Sequence, residues 1–168
     1  MGSNNIKDMG LEELRKKISI VKQRPILFNT TVRDNILFGA PNPTEITDEA
    51  IYSTAEKIGL KTFIDSLDRQ LDTVTGENGD RISGGQRQKI AILRALMKKG
   101  ATILILDEAT NGLDSSSSKT ILDGLKSMAK DGSFLLLMIT HKLSEIVGFE
   151  KIIVLNDSGK VEEGNHES

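Results

Sequence analysis

Thr102-Ile103-Leu104-Ile105-Leu106-Asp107-Glu108 is the stretch on which the fold class turns. Its aliphatic side chains run without a polar break, the pattern of a strand buried on both faces of a parallel sheet. The run closes in two adjacent carboxylates, placed at the strand's C-terminal edge, where ligands bind in open α/β sheets. An aspartate at such an edge can hold Mg2+ through water, and the glutamate beside it can polarise an attacking water. Taken alone, the same residues also describe a buried strand followed by an acidic helix cap.

Outward from this strand, further β-prone runs lie at Ile18–Val21, Phe134–Thr140 and Lys151–Leu155. Ile121, Leu122, Leu125, Met128 and Ala129 recur at helical spacing, and Gly132 stops the pattern. Ser115–Ser118 opens that helix. Strand, helix and strand from Thr102 to Thr140 make a crossover unit in an α/β sheet. Residues 41–98 have another texture. Pro41 and Pro43 mark a loop, Thr47 with Asp48 and Glu49 starts a helix, and Gly59 ends it. A short helix follows near Lys61–Leu67, and another from roughly Gln86 to Lys99. The expectation is a helical subdomain at 41–98 inserted into a sheet domain built from 1–40 and 99–168.

Composition sets the outer bounds. The chain has 168 residues, of which 38% are hydrophobic, 27% charged and 4% aromatic, a balance that suits a globular domain. A formal net charge of −2 does not recruit nucleic acid or an anionic membrane. With no cysteine there is no disulfide framework and no thiolate metal site, which fits the cytoplasm. The longest apolar run, Phe134–Ile139, falls far short of the ~20 residues that span a bilayer, and the N-terminus lacks the pattern of a signal peptide. Whether residues 1–5 are native is left open. The basic residues Arg81, Arg87, Lys89, Arg94, Lys98 and Lys99 are expected to form a solvated helix face. They lack interleaved aromatics, so nucleic acid is not the expected partner.

A second motif, Ile82-Ser83-Gly84-Gly85-Gln86, runs straight into a helix. Paired glycines allow close backbone approach, and a helix start aims N–H donors and partial positive charge outward, which suits a phosphate. A plain Gly-Gly turn before a helix would look similar. In combination the motifs say more. Ser83-Gly84-Gly85-Gln86 followed by the strand ending in Asp107-Glu108 closely resembles the ABC ATPase family. The pentapeptide is similar to the family's signature, with Ile82 in place of leucine, and the strand to Asp107 is similar to Walker B. Glu108 falls at the catalytic glutamate. Asn111-Gly112-Leu113-Asp114 resembles the D-loop, His141 the switch histidine and Gln23 the Q-loop glutamine. These five motifs stand in the family's order across nearly the whole chain. Asn35–Gly39 and Thr73–Gly79 resemble segments of exporter-type members, the latter a loop that touches coupling helices of a membrane domain. Gly159–His166 resembles the closing β-hairpin; His166 is expected to be exposed and not a metal ligand.

The resemblance implies an incomplete P-loop NTPase (RecA-like) core with an inserted helical subdomain. It also implies ATP and Mg2+ as cofactors and coupling of hydrolysis to transport. Glu108 and His141 would be catalytic, Ser83, Gly84, Gly85, Gln86 and Asp114 would contact nucleotide, and Asp107 and Gln23 would hold Mg2+. Its partners would be a second ABC ATPase domain, identical or different, packed head to tail, and a transmembrane domain at the cytoplasmic face of a membrane. The sequence contains no G-x-x-x-x-G-K-[ST] loop, so the isolated chain is expected to show no appreciable ATPase activity. Loss of a central strand and helix is also expected to expose apolar faces of Thr102–Leu106 and Phe134–Ile139, giving a marginally stable or associating chain. Two other readings remain: a non-hydrolytic module completing a partner's ATP site, and a soluble ABC ATPase of DNA repair or translation. The exporter-like segments speak against the latter.

Overall fold

The computed structural model describes residues 5–156 and 159–165. In chain order its elements are α1 (Leu11–Lys17), β1 (Ile18–Val21), α2 (Val32–Leu37), α3 (Asp48–Lys57), α4 (Lys61–Asp65) and α5 (Gly84–Met97). There follow β2 (Ile103–Asp107), α6 (Ser115–Lys130), β3 (Leu135–Ile139), β4 (Ile152–Asn156) and β5 (Gly159–Gly164). The helix starts are those their caps dictate. The Thr47 side chain accepts from the Ala50 N–H at the head of α3, and Asp114 from Ser117 at the head of α6. Helix α5 begins at Gly84, two residues before the expected Gln86, because Ser83 caps it.

Strands β1, β2 and β3 form a parallel sheet in that order, with β2 central. Ile103 pairs with Ile18 and Leu135, and Asp107 pairs with Ile139. Strands β4 and β5 form a separate antiparallel hairpin. One apolar cluster joins the helices to one sheet face. Ile90, Ile92 and Leu93 of α5 are sealed among Val32 and Ile36 of α2, Ile51 and Ala55 of α3, Ile64 of α4, Leu104 and Leu106 of β2, and Ile121 and Leu125 of α6. Helix α6 crosses the end of α3 so closely that a Cβ at Gly124 would lie 2.6 Å from the Lys57 carbonyl oxygen. No helix among the described residues is long and apolar enough to cross a membrane.

Two sequence expectations need correction. The sheet is covered on one face only. Ser19, Val21, Leu104 and Leu106 point into the core, whereas Ile20, Leu135, Leu137 and Ile139 on the opposite face are exposed. An unbroken apolar run therefore does not mark burial on both sides here; the exposure foreseen for β3 is present, and Ile103 and Ile105 are half-covered.

Nor are Arg87, Arg94 and Lys98 part of a solvated face, although Arg81 and Lys99 are exposed. Arg94 donates from Nε to the Asn35 carbonyl at 2.7 Å and from Nη1 to the Ile26 carbonyl at 2.9 Å, and Nη2 reaches Asn35 Oδ1 at 3.0 Å. The Phe28 and Phe38 rings lie beside its guanidinium, and burial lowers its pKa. Arg87 donates to the Gly79 and Ile82 carbonyls, and Lys98 to those of Arg15 and Ile18. These side chains donate to carbonyls in loops, in the last turns of α1 and α2 and at the start of β1.

Candidate functional site

The β2–β3 ladder does not stop at Asp107. The Glu108 N–H donates to the Ile139 carbonyl at 3.0 Å, while its φ of +47° turns the chain into the left-handed region. A non-glycine residue held there costs of order 1–3 kcal/mol and persists only where its surroundings fix it. Here the carboxylate is held from three sides. Oε2 accepts from Gln23 Nε2 at 2.5 Å and from Asn111 Nδ2 at 2.8 Å, and Oε1 lies 3.3 Å from His141 Nδ1. A proton on Nδ1 makes the last contact a donated hydrogen bond. Gln23 follows β1, Asn111 lies in the turn after β2, and His141 follows β3. Three parallel strands thus deliver their donors to one carboxylate at a common edge. Asp107, the last residue of β2, is half-buried beside it.

A second set of residues lies at the start of α5. Ser83 caps the helix reciprocally: its Oγ accepts from the Gln86 N–H at 3.2 Å, and Gln86 Oε1 accepts from the Ser83 N–H at 2.9 Å. Ser83 and Gly84 are exposed. Gly85 is pressed against the turn after β2, where an added Cβ would sit 2.7 Å from the Gly112 carbonyl oxygen. Asp114, two residues on, caps α6, and hydrogen bonds from Ser117 hold its carboxyl below the usual carboxylate range. The structure therefore brings Gln23, Glu108 and His141 together, with Asp107 adjacent in sequence. Ser83–Gln86 stand apart from that cluster, joined to it through Gly112.

Two contributors were missed. In the sequence Asn111 stands out only as part of a motif, although an amide three residues beyond a carboxylate in a turn is well placed to donate back to it. Glu145 gave no local signal. It is buried at 6% exposure, accepts from Thr140 Oγ1 at 2.8 Å and pairs with Lys142 Nζ at 3.4 Å. It thereby fixes both neighbours of His141, while Lys142 Nζ also reaches the Thr110 carbonyl at 3.4 Å. His166 lies outside the described residues. Among the described residues, no three or more His, Cys, Asp or Glu side chains are arranged to hold a metal ion by themselves.

A family profile described as ABC transporter matches residues 1–111. The mitochondrial iron-sulfur clusters transporter ABCB7 of Danio rerio is 40% identical over 168 residues, covering 100% of this chain and 22% of that protein. The ATP-dependent lipid A-core flippase of Idiomarina loihiensis is 41% identical over 167 residues, covering 99% of this chain and 28% of the flippase. Multidrug resistance protein 1 of Entamoeba histolytica is 39% identical over 99% of this chain and 13% of its own length. The chain thus spans less than a third of each of these relatives. Among solved structures, a bacterial Atm1-family ABC exporter with ATP bound superposes with a TM-score of 0.88 at 31% identity, over 99% of this chain and 28% of that one. Both the sequence and the three-dimensional arrangement lead to one conclusion: the chain belongs to the ABC transporter family.

Proposed function

We propose that this chain is part of the ATP-hydrolysing moiety of an ABC exporter and contributes to ATP sites shared with a second ABC ATPase domain packed head to tail. The observation that carries the proposal is the convergence of Gln23, Asn111 and His141 on Glu108 at the C-terminal edge of the sheet. A water held by Glu108 would be oriented by a carboxylate whose own position is fixed, and phosphoryl transfer depends mainly on positioning and electrostatics. His141 would meet the terminal phosphate. The exposed helix start at Ser83–Gln86 would offer N–H donors and the Ser83 hydroxyl to the phosphate of a nucleotide held by the partner, with Asp114 near the same interface.

The donor set suits Mg2+ in the way such sites use it, one or two protein oxygens completed by nucleotide phosphates and water. The Asp107 carboxylate would be one ligand. Gln23 gives its Nε2 to Glu108, which leaves Oε1 for the ion. When bound, the ion would neutralise charge on the phosphates.

Ile26, Phe28, Phe38 and Val74 form exposed apolar positions around the Arg94 platform, with the Phe28 and Phe38 rings 4.2 Å apart. Asn35 Nδ2 lies 3.5 Å from Thr75 Oγ1, which brings the two exporter-like segments into this one region. Such a patch suits a transmembrane domain docking from the membrane side, which would put the chain on the cytoplasmic face.

The test pairs this chain with an ABC ATPase domain that has an intact phosphate-binding loop and a disabled signature. Association that requires ATP, with hydrolysis by the pair and none by this chain alone, is the expected result. Robust hydrolysis by the chain alone that disappears on Glu108→Gln would overturn the shared-site assignment. A second reading is a non-hydrolytic module that only completes the partner's site through the exposed helix start at Ser83–Gln86. Pairs of this chain, or its Glu108→Gln form, with a partner bearing both an intact loop and an intact signature separate the two. A loss of hydrolysis on Glu108→Gln supports the hydrolytic role.

A further inference from the structure

Gln88 is a buried amide, 3% exposed, on the face of α5 that also carries the buried Ala91, Ile92 and Ala95. An amide in such surroundings needs a partner, because leaving it unpaired is costly. Its Nε2 donates to the Lys22 carbonyl at 3.1 Å. Six residues further along α5, Arg94 Nη1 donates to the Ile26 carbonyl at 2.9 Å. Gln23 lies between these two anchored carbonyls.

The segment has little else to shape it. Strand β1 ends at Val21, and Pro25 has no N–H to give. Outside the helices and strands, no backbone-to-backbone hydrogen bond among the described residues involves positions 22–27. The buried Leu27 side chain fastens the far end, and Asn35 holds both backbone groups of Phe28. Helix α5 is in turn a fixed reference. Ser19 Oγ donates to the Ala95 carbonyl at 2.9 Å, and Lys98 Nζ to the Ile18 carbonyl at 2.8 Å.

We infer that Gln88 and Arg94 are positioning residues for Gln23: by gripping the carbonyls on either side of it, they set the turn from which its amide reaches Glu108. The inference rests on the proposed role of Glu108 and Gln23 for its functional meaning, but not for its geometry. It mounts two parts of the proposed machinery on a single helix, since α5 begins with Ser83–Gln86 and carries the props of Gln23 on its buried side. A shift of this helix relative to β2 would then change the Gln23–Glu108 contact.

The test is nuclear magnetic resonance of the isotope-labelled 168-residue chain, reading the side-chain amide signals of Gln23. In the unaltered chain these signals are expected to stand apart from those of free glutamine and to move on Glu108→Gln. Gln88→Met, similar in volume but without a donor, should abolish that separation, whereas Lys89→Met should preserve it. Ile51→Val serves as a matched core change, expected to lower the melting temperature while leaving the Gln23 signals in place. Gln88→Met protein that unfolds cooperatively and keeps the Gln23 signals unmoved would overturn the inference. If that variant does not fold, the unaltered chain decides. Nuclear Overhauser contacts between the Gln88 side-chain amide and the Gln23 backbone N–H support it, and their absence overturns it. The ATP-site assignment fails separately, when nucleotide-dependent pairing is lacking although the Gln23 signals still follow Gln88.

Discussion

Glu108 shows how much one backbone angle can do. A residue continuing β2 in extended conformation would put its side chain on one of the two sheet faces. The left-handed φ of +47° instead carries the carboxylate to Gln23, Asn111 and His141, while the N–H stays in register with Ile139. Close approach of two glycines sets the other half of the arrangement. Gly85→Ala would push a Cβ to 2.7 Å from the Gly112 oxygen, a backbone atom that cannot swing aside. That substitution should destabilise the fold by about 1–3 kcal/mol, the range for overpacking. At Gly84 the nearest atom is the end of the Arg87 side chain at 3.9 Å. Gly84→Ala should therefore leave stability unchanged or raise it by up to about 1 kcal/mol. Urea unfolding of the two variants checks the contrast, and equal effects would show that the Gly85–Gly112 contact does not constrain the helix start. Asn111 teaches a related point about legibility: its type and spacing were visible, but its role required the position of the Glu108 oxygen.

For the elements, capping and charge decide how the helices begin. Ser83→Ala removes the Oγ acceptor of the α5 capping box and should cost about 1 kcal/mol. Ser83→Asp keeps an acceptor at the cap and adds a negative charge favourable to the helix dipole, so stability should be retained. The same charge would repel a nucleotide phosphate, so ATP-dependent pairing should be lost. Thermal melts combined with the pairing assay separate the two effects, and a Ser83→Asp chain that still pairs with ATP would contradict phosphate contact at this position.

Helices α2 and α3 are joined by Arg33, whose Nη2 lies 2.7 Å from Asp48 Oδ2 and which also contacts Asp72. The Arg33 hydrogen bond lowers the Asp48 pKa, whereas Arg33 itself is held well above its ordinary value by hydrogen bonds to Asp48 and then Asp72. A carboxylate with a depressed folded-state pKa stabilises in full above its unfolded value, near 4, and loses that contribution as pH falls through the folded value. The Asp48 side chain is 44% exposed, so its contribution should be no more than about 1 kcal/mol. Asp48→Asn should accordingly lower stability at neutral pH and flatten the acid limb below about pH 4. Chemical denaturation measured across that range provides the check.

For the whole molecule, the uncovered sheet face dominates. Ile20, Leu135, Leu137 and Ile139 present aliphatic surface to solvent, and Val154, Leu155 and Val161 of the hairpin are exposed as well. Contiguous surface of this kind promotes association. Sedimentation velocity over a range of concentrations should show self-association of the isolated chain. Leu137→Lys, a change at a position already 49% exposed, should reduce association while altering stability by no more than about 0.5 kcal/mol. A monomeric unaltered chain at all concentrations would indicate that this face needs no cover.

The sequence by itself determined strands β1 to β4 and helices α3 to α6, because apolar period, caps and breakers act over a few residues and each is written where it acts, whereas α1 and α2 carried no such signal. It also determined the set of motifs, since the residues of each lie side by side in the chain. Only the tertiary structure decided what those motifs do to one another. Gln23 and His141 meet Glu108 across separations of 85 and 33 residues, and parallel pairing alone brings their strand ends to one edge. Arg94 reads as a surface cation until carbonyls 59 and 68 residues away are seen to enclose it. The uncovered face of the sheet was likewise decided by assembly: an apolar side chain carries its hydrophobicity locally, but whether anything covers it depends on which elements pack against that face.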